Sequence, residues 1–252
     1  MTKSMEKQQQ YMVAVCDILG FSDHLEKNVL GDIVNQSLGW LRKALYFALH
    51  KKQFPQEIPN KAEFFGNEYV GVAWFSDTFF LYTRSDQTQS VQQLIQTVGW
   101  LLFATMMAES GLRIRGGISF GEAYIDEDES VFVGNPIVEA YQLEKKQQWA
   151  GVALTQSAVS KIPERARSGH LADWWVIPYD VPLKEKQTLQ TLAVNWTWGG
   201  HSFWKASWSR SSDAPLESDW KEHPDICEKF VNTKAFHENV CYTCYRPSKV
   251  GD

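Results

Sequence analysis

The sequence EYVGVAWFSDTFFLYTR, residues 68–84, contains two β-rich apolar runs separated only by Ser76 and Asp77. Two such runs joined by a two-residue turn predict an antiparallel β-hairpin. The turn lacks the glycine that such hairpins usually contain, so the prediction rests on the two runs. The hairpin puts Asp77 at its tip.

Upstream of the hairpin, YMVAVCD at residues 11–17 is a near-continuous apolar run, typical of a central strand covered on both faces, and it stops at Asp17. Ser22 is a candidate N-cap, and the apolar residues that follow recur with a helical period. We expect one long or broken helix, weakened at Gly31 and ending near Lys51. Residues 53–67 carry two prolines and no period, which predicts a connection.

Downstream of the hairpin, helical and strand patterns alternate again. The predicted elements are a helix over about 88–109, a strand over 112–125, an acidic turn at 126–130, a short strand at 131–134, a helix through 139–149 and a strand at 151–155. The order β, α, β, β, α, β, β, α, β contains the ferredoxin-like βαββαβ unit. The predicted fold class is therefore α+β.

The chain beyond residue 160 has a different composition. Seven of its eleven tryptophans lie after residue 173, at positions 174, 175, 196, 198, 204, 208 and 220. Aromatic residues concentrated in this way favour a packed layer or a dimer surface over a ligand cage. We interpret residues 1–160 as the core and residues 161–252 as the C-terminal part of the same domain, β-rich and then helical after Pro224.

Composition limits the class of protein. With 252 residues and 44% hydrophobic content, the chain can bury a core of its own. A net charge of -5 argues against a protein that binds nucleic acid or an anionic membrane surface, so a polyanionic substrate would need metal ions. The sequence contains neither an apolar run of membrane-spanning length nor a signal-peptide pattern. A cytoplasmic location is expected.

The four cysteines predict no disulfide framework. Cys16 lies in the apolar run of the first strand and is expected to be buried. Cys227, Cys241 and Cys244 could form a zinc site with His237. A lone CxxC lacks the second paired motif of such sites, so we favour a helical tail that happens to carry cysteines.

Two aspartates are the strongest candidate site residues. The right-handed crossover of a βαββαβ unit makes its first two strands parallel, so Asp17 and Asp77 should meet at one edge of the sheet. Two carboxylates there can hold two Mg²⁺ or Mn²⁺ ions. The amides after Asp17, with Gly20 permitting close approach, suit a triphosphate. The combination favours phosphoryl transfer, by attack of a ribose 3′-hydroxyl on its own α-phosphate.

Four segments carry a family resemblance. CDILGFS (16–22), FSD (75–77), LRIRGGISFGE (112–122) and GNPIVEAYQLE (134–144) resemble the ordered motifs of class III nucleotide cyclases, over roughly residues 11–160. The resemblance implies that Asp17, Asp77 and the carbonyl of Ile18 bind two metal ions. It also implies that Gly20, Phe21 and Ser22 bind phosphates and that the protein is a homodimer with sites shared across the interface.

The purine-specific residues of that family are missing. Val138 and Gln142 stand where purine cyclases have Asn and Arg, and Ala73 stands where adenylate cyclases have the base-selecting Lys, whose partner Asp falls near Val131. In size, in DILGF, in the Ser-Asp turn, in RGGISFGE and in EAYQLE, the chain resembles the bacterial pyrimidine cyclases of the Pycsar antiphage system. That resemblance implies cyclic UMP or cyclic CMP made from UTP or CTP, as a messenger for a separate effector protein. The two bases differ only in the hydrogen-bond sense of O4 and N4, and we favour UTP without a residue that requires it.

Other residues are candidates for the missing contacts. Tyr69 shares the strand parity of Ala73 and could fill a base pocket, or it could be a packed edge tyrosine. Arg115 could touch phosphate or base, with Arg113 as the surface-facing alternative. Lys184 lies where the family often has a triphosphate-binding lysine.

Several alternatives stay open. Lys184 and Lys186 belong to a polar stretch that also fits a solvated face, and Glu139 and Glu144 fit structural helix charges. The missing purine residues also fit a catalytically inactive, cyclase-like module that senses nucleotides or binds a partner. A diguanylate cyclase is disfavoured because FSDT does not match a GGDEF-type hairpin.

Overall fold

The strand that carries Asp17 lies inside a single eight-stranded sheet. The computed structural model describes residues 9–51, 53–57, 60, 67–107, 113–169, 171–197 and 224–244. The strands are β1 (Gln9–Leu19), β2 (Val70–Phe75), β3 (Thr78–Thr83), β4 (Arg113–Asp126), β5 (Val131–Gly134), β6 (Val152–Leu154), β7 (Val176–Pro182) and β8 (Thr188–Val194).

The strand order is β2-β3-β1-β4-β6-β8-β7, with β5 paired to β4. β4 and β6 run parallel, whereas the other neighbours pair antiparallel. The first four strands therefore adopt the ferredoxin-like arrangement, and the predicted α+β class is confirmed. β7 and β8 extend the same sheet.

Helices cover the sheet and close its core. They are α1 (Phe21–Lys27), α2 (Leu30–Asp32), a π-helical segment (Ile33–Leu38), α3 (Gly39–His50), α4 (Thr88–Met107), α5 (Asn135–Lys146), α6 (Gln156–Lys161), α7 (Glu164–Arg167) and α8 (Pro224–Cys244), with 3₁₀ turns at Ala172–Trp174 and Lys184–Lys186. In the described part of the chain, no helix is both long enough and apolar enough to cross a bilayer.

β1 is longer than the sequence pattern predicts. Asp17 was expected to close the strand, but β1 continues to Leu19. The reason is that Ile18 and Leu19 still pair with Ile114 and Arg113 of β4 after the pairing with β3 has ended at Thr78. Asp17 is therefore held in extended backbone on both sides.

The first helical region is broken into shorter helices, which is one of the two forms predicted for it. Gly20, with φ 74°, is the N-cap residue of α1, so the prediction of Ser22 as N-cap is wrong. Extended backbone at Asn28 ends α1 after seven residues. Val29 and Leu30, which belong to the predicted apolar face, are 72% and 66% exposed. The predicted end near Lys51 is confirmed.

Glycine brings α5 close to the sheet. A Cβ on Gly117 of β4 would lie 2.2 Å from the carbonyl oxygen of Ala140 in α5, so only glycine permits this approach. The close packing fixes the last turn of α5 over β1 and β4.

The described aromatic residues of the C-terminal part pack into the core of the protein. Trp149 stacks on Tyr179 at a centroid distance of 5.3 Å and meets Phe236 of α8 edge-on at 4.9 Å. Trp174, Trp175 and Trp196 are buried. The remaining late tryptophans, at positions 198, 204, 208 and 220, lie outside the described residues.

Candidate active site at the sheet edge

Asp17 and Asp77 meet where the β1–β3 ladder ends. We call this end of the strands the sheet edge, although β1 itself is an interior strand. Asp17 pairs with Thr78, and the backbone N–H of Ile18 donates a 3.1 Å hydrogen bond to the carbonyl oxygen of Asp77. Thr78 Oγ1 donates a weaker hydrogen bond of 3.4 Å to Asp17 Oδ1. The structure thus joins two aspartates that are sixty positions apart in the sequence.

The hairpin tip that carries Asp77 is tight. Ser76 adopts a left-handed backbone, with φ 55°, where hairpin turns usually use glycine. The indole Nε1 of Trp74 donates a 2.7 Å hydrogen bond to the carbonyl of Ser76. This contact helps to hold a backbone conformation that is unfavourable for serine.

The carboxyl group of Asp17 lies in an acidic, partly buried environment. Burial, and then the charge of Glu144, raise the pKa of Asp17 above its ordinary value, and Asp77 acts in the same direction. The charges of Lys145 and Arg115 oppose this shift without cancelling it. A cation at this edge would therefore be stabilised by more than one carboxylate.

Arg115 stands directly opposite Asp17 in the β1–β4 register, but its guanidinium is committed elsewhere. Its Nε and Nη2 lie 2.7 and 2.5 Å from Glu144 Oε1, and its Nη1 donates a 3.1 Å hydrogen bond to the carbonyl of Gln147. Both side chains of the ion pair are buried. The geometry gives Arg115 a structural partner, and a phosphate or base contact by its guanidinium stays a prediction.

Arg113, the expected surface-facing alternative, is half-buried and donates a 2.8 Å hydrogen bond to the carbonyl of Thr105. Burial lowers the pKa of Arg113 to about 10. The expectation of a surface position for Arg113 is wrong, because the strand end is covered by the end of α4.

The two glutamates of α5 differ. Glu139 is exposed and accepts a 2.6 Å hydrogen bond from Ser119, as fits a structural helix charge. Glu144 is fully buried, and its Oε2 has no hydrogen-bond partner among the described residues. The ammonium of Lys145 lies 3.5 Å from that oxygen.

Lys145 was not predicted from the sequence. Its Nζ lies 3.7 Å from Asp17 Oδ2 as well as 3.5 Å from Glu144 Oε2. Nothing in the sequence distinguishes it from Lys146, because both follow Glu144 in a charged helix end. Only the orientation of α5 over β1 selects Lys145.

The fit of a divalent ion rests on three observations. The Ile18 amide joins the backbone after Asp17 to Asp77, a buried carboxylate oxygen of Glu144 lacks a hydrogen bond, and an ammonium already lies beside Asp17. These oxygen donors suit Mg²⁺ or Mn²⁺. The described residues contain no group of three or more His, Cys, Asp or Glu side chains arranged for a metal, so substrate oxygens would complete the coordination.

The predicted phosphate-binding loop follows β1 directly. Gly20 is exposed and left-handed, and Ser22 is exposed in the first turn of α1. The Phe21 side chain is only 6% exposed and packs in the core, which leaves its backbone amide as the group available to a ligand. Phosphate binding by these residues stays a prediction.

Tyr69 is not brought to the aspartates. It precedes β2, whereas Asp77 follows the far end of that strand, and a strand rises about 3.3 Å per residue, so Tyr69 lies roughly 20 Å from the hairpin tip. Its hydroxyl accepts a 2.9 Å hydrogen bond from Gln89. This placement favours the packed-edge interpretation of Tyr69.

Lys184 lies nearer to the site along the fold. It is exposed in a 3₁₀ turn, and the preceding Leu183 forms a β-bridge with Gln147, whose carbonyl binds Arg115. A triphosphate contact by Lys184 stays a prediction. For the alternative zinc site, Cys227 is a free, half-buried thiol, and the side chains of Cys241 and Cys244 lie outside the described residues.

The positions that depart from purine cyclases are at the surface or near it. Val138 is 53% exposed on α5, Gln142 is exposed on the same helix, and Val131 is 39% exposed on β5. Ala73 is half-buried in β2.

Comparison with known proteins gave structural neighbours only. No protein-family model and no curated protein matches the chain. One similar structure is the catalytic core of a rhodopsin-guanylyl cyclase with converted specificity in complex with ATPalphaS, at 16% identity and a TM-score of 0.44, covering 74% of this chain and 95% of that one. Another is a class III adenylyl cyclase-like ATP-binding protein from Pseudomonas aeruginosa, at 15% identity and a TM-score of 0.42, covering 64% of this chain and 36% of that one.

Proposed function

We propose that this protein is a nucleotide cyclase that converts UTP or CTP into the 3′,5′-cyclic monophosphate and pyrophosphate. The observation that carries the proposal is the meeting of Asp17 and Asp77 at the sheet edge, directly before the exposed glycine that begins α1. Two carboxylates beside the backbone amides at the start of α1 would provide oxygen ligands for divalent ions and donors for a triphosphate.

Asp17, Asp77 and the carbonyl of Ile18 would hold two Mg²⁺ or Mn²⁺ ions. When bound, such ions lower the pKa of a ribose 3′-hydroxyl and neutralise the charge that grows on the leaving pyrophosphate. Asp17 would serve this role in its ionised form, which a neighbouring positive charge favours. The backbone of Gly20, Phe21 and Ser22 would orient the phosphates.

A pyrimidine substrate is supported by what stands in place of the purine-reading residues. Ala73 offers no donor to a base, and Val138 and Gln142 cannot act as the Asn and Arg of purine cyclases do. The motif resemblance to bacterial pyrimidine cyclases supports UTP or CTP as the substrate, and we favour UTP although no residue requires it. It also assigns the product a role as a messenger of antiphage defence that acts on a separate effector protein.

A homodimer is part of the proposal. Exposed apolar side chains occur on β2 (Phe75, 85% exposed), β5 (Val133, 62%) and α5 (Tyr141, 50%). Single exposed apolar residues are common, but those of β5 and α5 lie on two elements that contact each other, and such a cluster favours contact with a second copy. Sedimentation or light scattering of the purified protein should give twice the 28.9 kDa chain mass.

One observation favours a second candidate function, a nucleotide sensor without catalysis. The Arg115 guanidinium contacts Glu144 and the carbonyl of Gln147. The residue paired with Asp17 therefore does not offer a free guanidinium to a transition state. A sensor would bind a nucleotide through Asp17 and Asp77 without releasing pyrophosphate.

One incubation separates the two candidates. The purified protein is mixed with Mn²⁺ and ATP, GTP, CTP and UTP together, and the products are identified by mass spectrometry. A cyclase yields cyclic UMP or cyclic CMP with an equal amount of pyrophosphate. Saturable nucleotide binding without either product would support the sensor and overturn the cyclase.

A further inference from the structure

Lys145 connects two carboxylates that belong to different elements. Its ammonium lies 3.7 Å from Asp17 Oδ2 on β1 and 3.5 Å from Glu144 Oε2 on its own helix. It also lies over the Tyr141 ring, 5.4 Å from the centroid. The side chain thus points back along α5 toward the sheet edge.

The buried carboxylate of Glu144 is paired with Arg115 through Oε1 and lies beside a second cation, Lys145, at Oε2. Both close contacts from Arg115 go to Oε1, so they leave Oε2 buried and without a hydrogen bond in the described structure. A buried carboxylate oxygen in that state is costly, and the Lys145 charge offsets part of the cost. Asp17 and Asp77 add two more negative charges at the same edge.

The Lys145 contacts are electrostatic and loose, unlike those of Arg115. Both distances exceed the 2.7–2.9 Å that is usual for a charge-assisted N–H to O hydrogen bond. The Lys145 side chain is 45% exposed, whereas Arg115 is 6% exposed. A flexible, solvated ammonium can leave such a position at little cost.

We propose that the Lys145 ammonium is a displaceable counter-ion, which occupies the cation position beside Asp17 until a divalent ion takes it. Lys145 and the divalent ion therefore compete for the same carboxylate. This inference rests on the metal role of Asp17 in the proposed function. It makes Lys145 a residue that sets metal affinity, with no part assigned to it in the reaction itself.

The test is a titration of the nucleotide-free full chain with Mn²⁺, followed by the electron paramagnetic resonance signal of free Mn²⁺. Lys145→Gln should bind Mn²⁺ about fivefold more tightly than the wild type, the fold-change that corresponds to the upper range of an exposed ion pair. Lys145→Met keeps the aliphatic stem over Tyr141 and should give the same tightening. A merely structural role would instead weaken Mn²⁺ binding when Lys145 is replaced.

Lys146→Gln is the matched control, because it removes the same charge from the next, exposed residue of the helix. Its Kd for Mn²⁺ should equal that of the wild type. Binding by both Lys145 variants that is equal to or weaker than the wild type, while the wild type itself binds Mn²⁺, would overturn this inference alone. A wild-type chain that binds no Mn²⁺ would overturn the metal assignment and the inference together.

Discussion

The backbone N–H of Ile18 donates a hydrogen bond of 3.1 Å to the carbonyl oxygen of Asp77. This contact joins the end of the β1–β3 ladder to the hairpin tip, so the position of Asp77 depends on the backbone that follows Asp17. The backbone therefore holds the two candidate metal ligands next to each other, and changes in the sheet beneath them should alter both.

Arg115→Met should destabilise the protein strongly. It leaves the Glu144 carboxylate buried without its main partner, and breaking a buried ion pair in this way costs about 3–5 kcal/mol. The free energy of unfolding is measured by urea denaturation. The double variant Arg115→Met/Glu144→Leu should recover much of the loss, because no unpaired charge remains. Arg115→Met with wild-type stability would contradict the structural role given to this pair.

Gly117→Ala should push α5 away from the sheet. The new Cβ would meet the carbonyl oxygen of Ala140 at 2.2 Å, and overpacking of this kind costs about 1–3 kcal/mol. Because Glu144 and Lys145 lie on the same helix, Mn²⁺ affinity should change together with stability. Gly31→Ala is the control, since its Cβ meets nothing within 4 Å and should be neutral or stabilising by up to about 1 kcal/mol. Equal stability of Gly117→Ala and Gly31→Ala would show that this approach is not tight.

Phe236→Ala should test the attachment of α8 to the domain. Phe236 is fully buried against Trp149 and Tyr179, and removal of a buried phenylalanine costs about 3–5 kcal/mol. Val231→Ala, on the same helix and 55% exposed, should change the free energy of unfolding by no more than about 0.5 kcal/mol. Similar, small effects of both changes would mean that α8 contributes little to the core.

Acid should destabilise the protein partly through His237, which stacks on Trp196. Burial lowers the pKa of His237 below 6.5, although Glu238 opposes the shift. As the pH falls below 6.5, the unfolded chain takes up a proton that the folded chain does not, so stability is lost on acidification toward the folded pKa. Above pH 6.5 the imidazole is neutral in both states, so it does not lower the free energy of unfolding. Melting temperatures at pH 7.5 and 5.5 should therefore differ less for His237→Phe than for the wild type. An equal difference in the two proteins would contradict a contribution of His237 to acid destabilisation.

The sequence predicts the elements that lie in the sheet better than the elements around it. The meeting of Asp17 and Asp77 follows from strand order, because a βαββαβ unit has few topologies. The break at Asn28 has no such rule behind it. Val29 and Leu30 keep the helical period of apolar residues, yet both are exposed, so periodicity alone does not reveal which apolar face is covered.

The chemistry of the site was only partly predictable for a related reason. The sequence places Arg115 on a strand opposite Asp17. Its partner Glu144 reaches Arg115 because α5 packs closely against Gly117 of β4. Such a pairing depends on three-dimensional contact and leaves no local motif. Lys145 and Lys146 are likewise equivalent in sequence and differ only in the direction that the helix gives them.

In the proposed function, Asp17 and Asp77 together support metal-dependent cyclisation of a pyrimidine nucleotide. The most direct measurement is the rate of cyclic UMP and cyclic CMP formation from UTP and CTP with Mn²⁺, compared for the wild type, Asp77→Asn and the exposed control Asp86→Asn. We expect cyclic product from the wild type and from Asp86→Asn. We expect at least a hundredfold loss in Asp77→Asn, roughly the scale seen when a group that stabilises transition-state charge is removed, with an unchanged melting temperature. Equal turnover by Asp77→Asn and the wild type would contradict the proposed role of Asp77 in cyclisation.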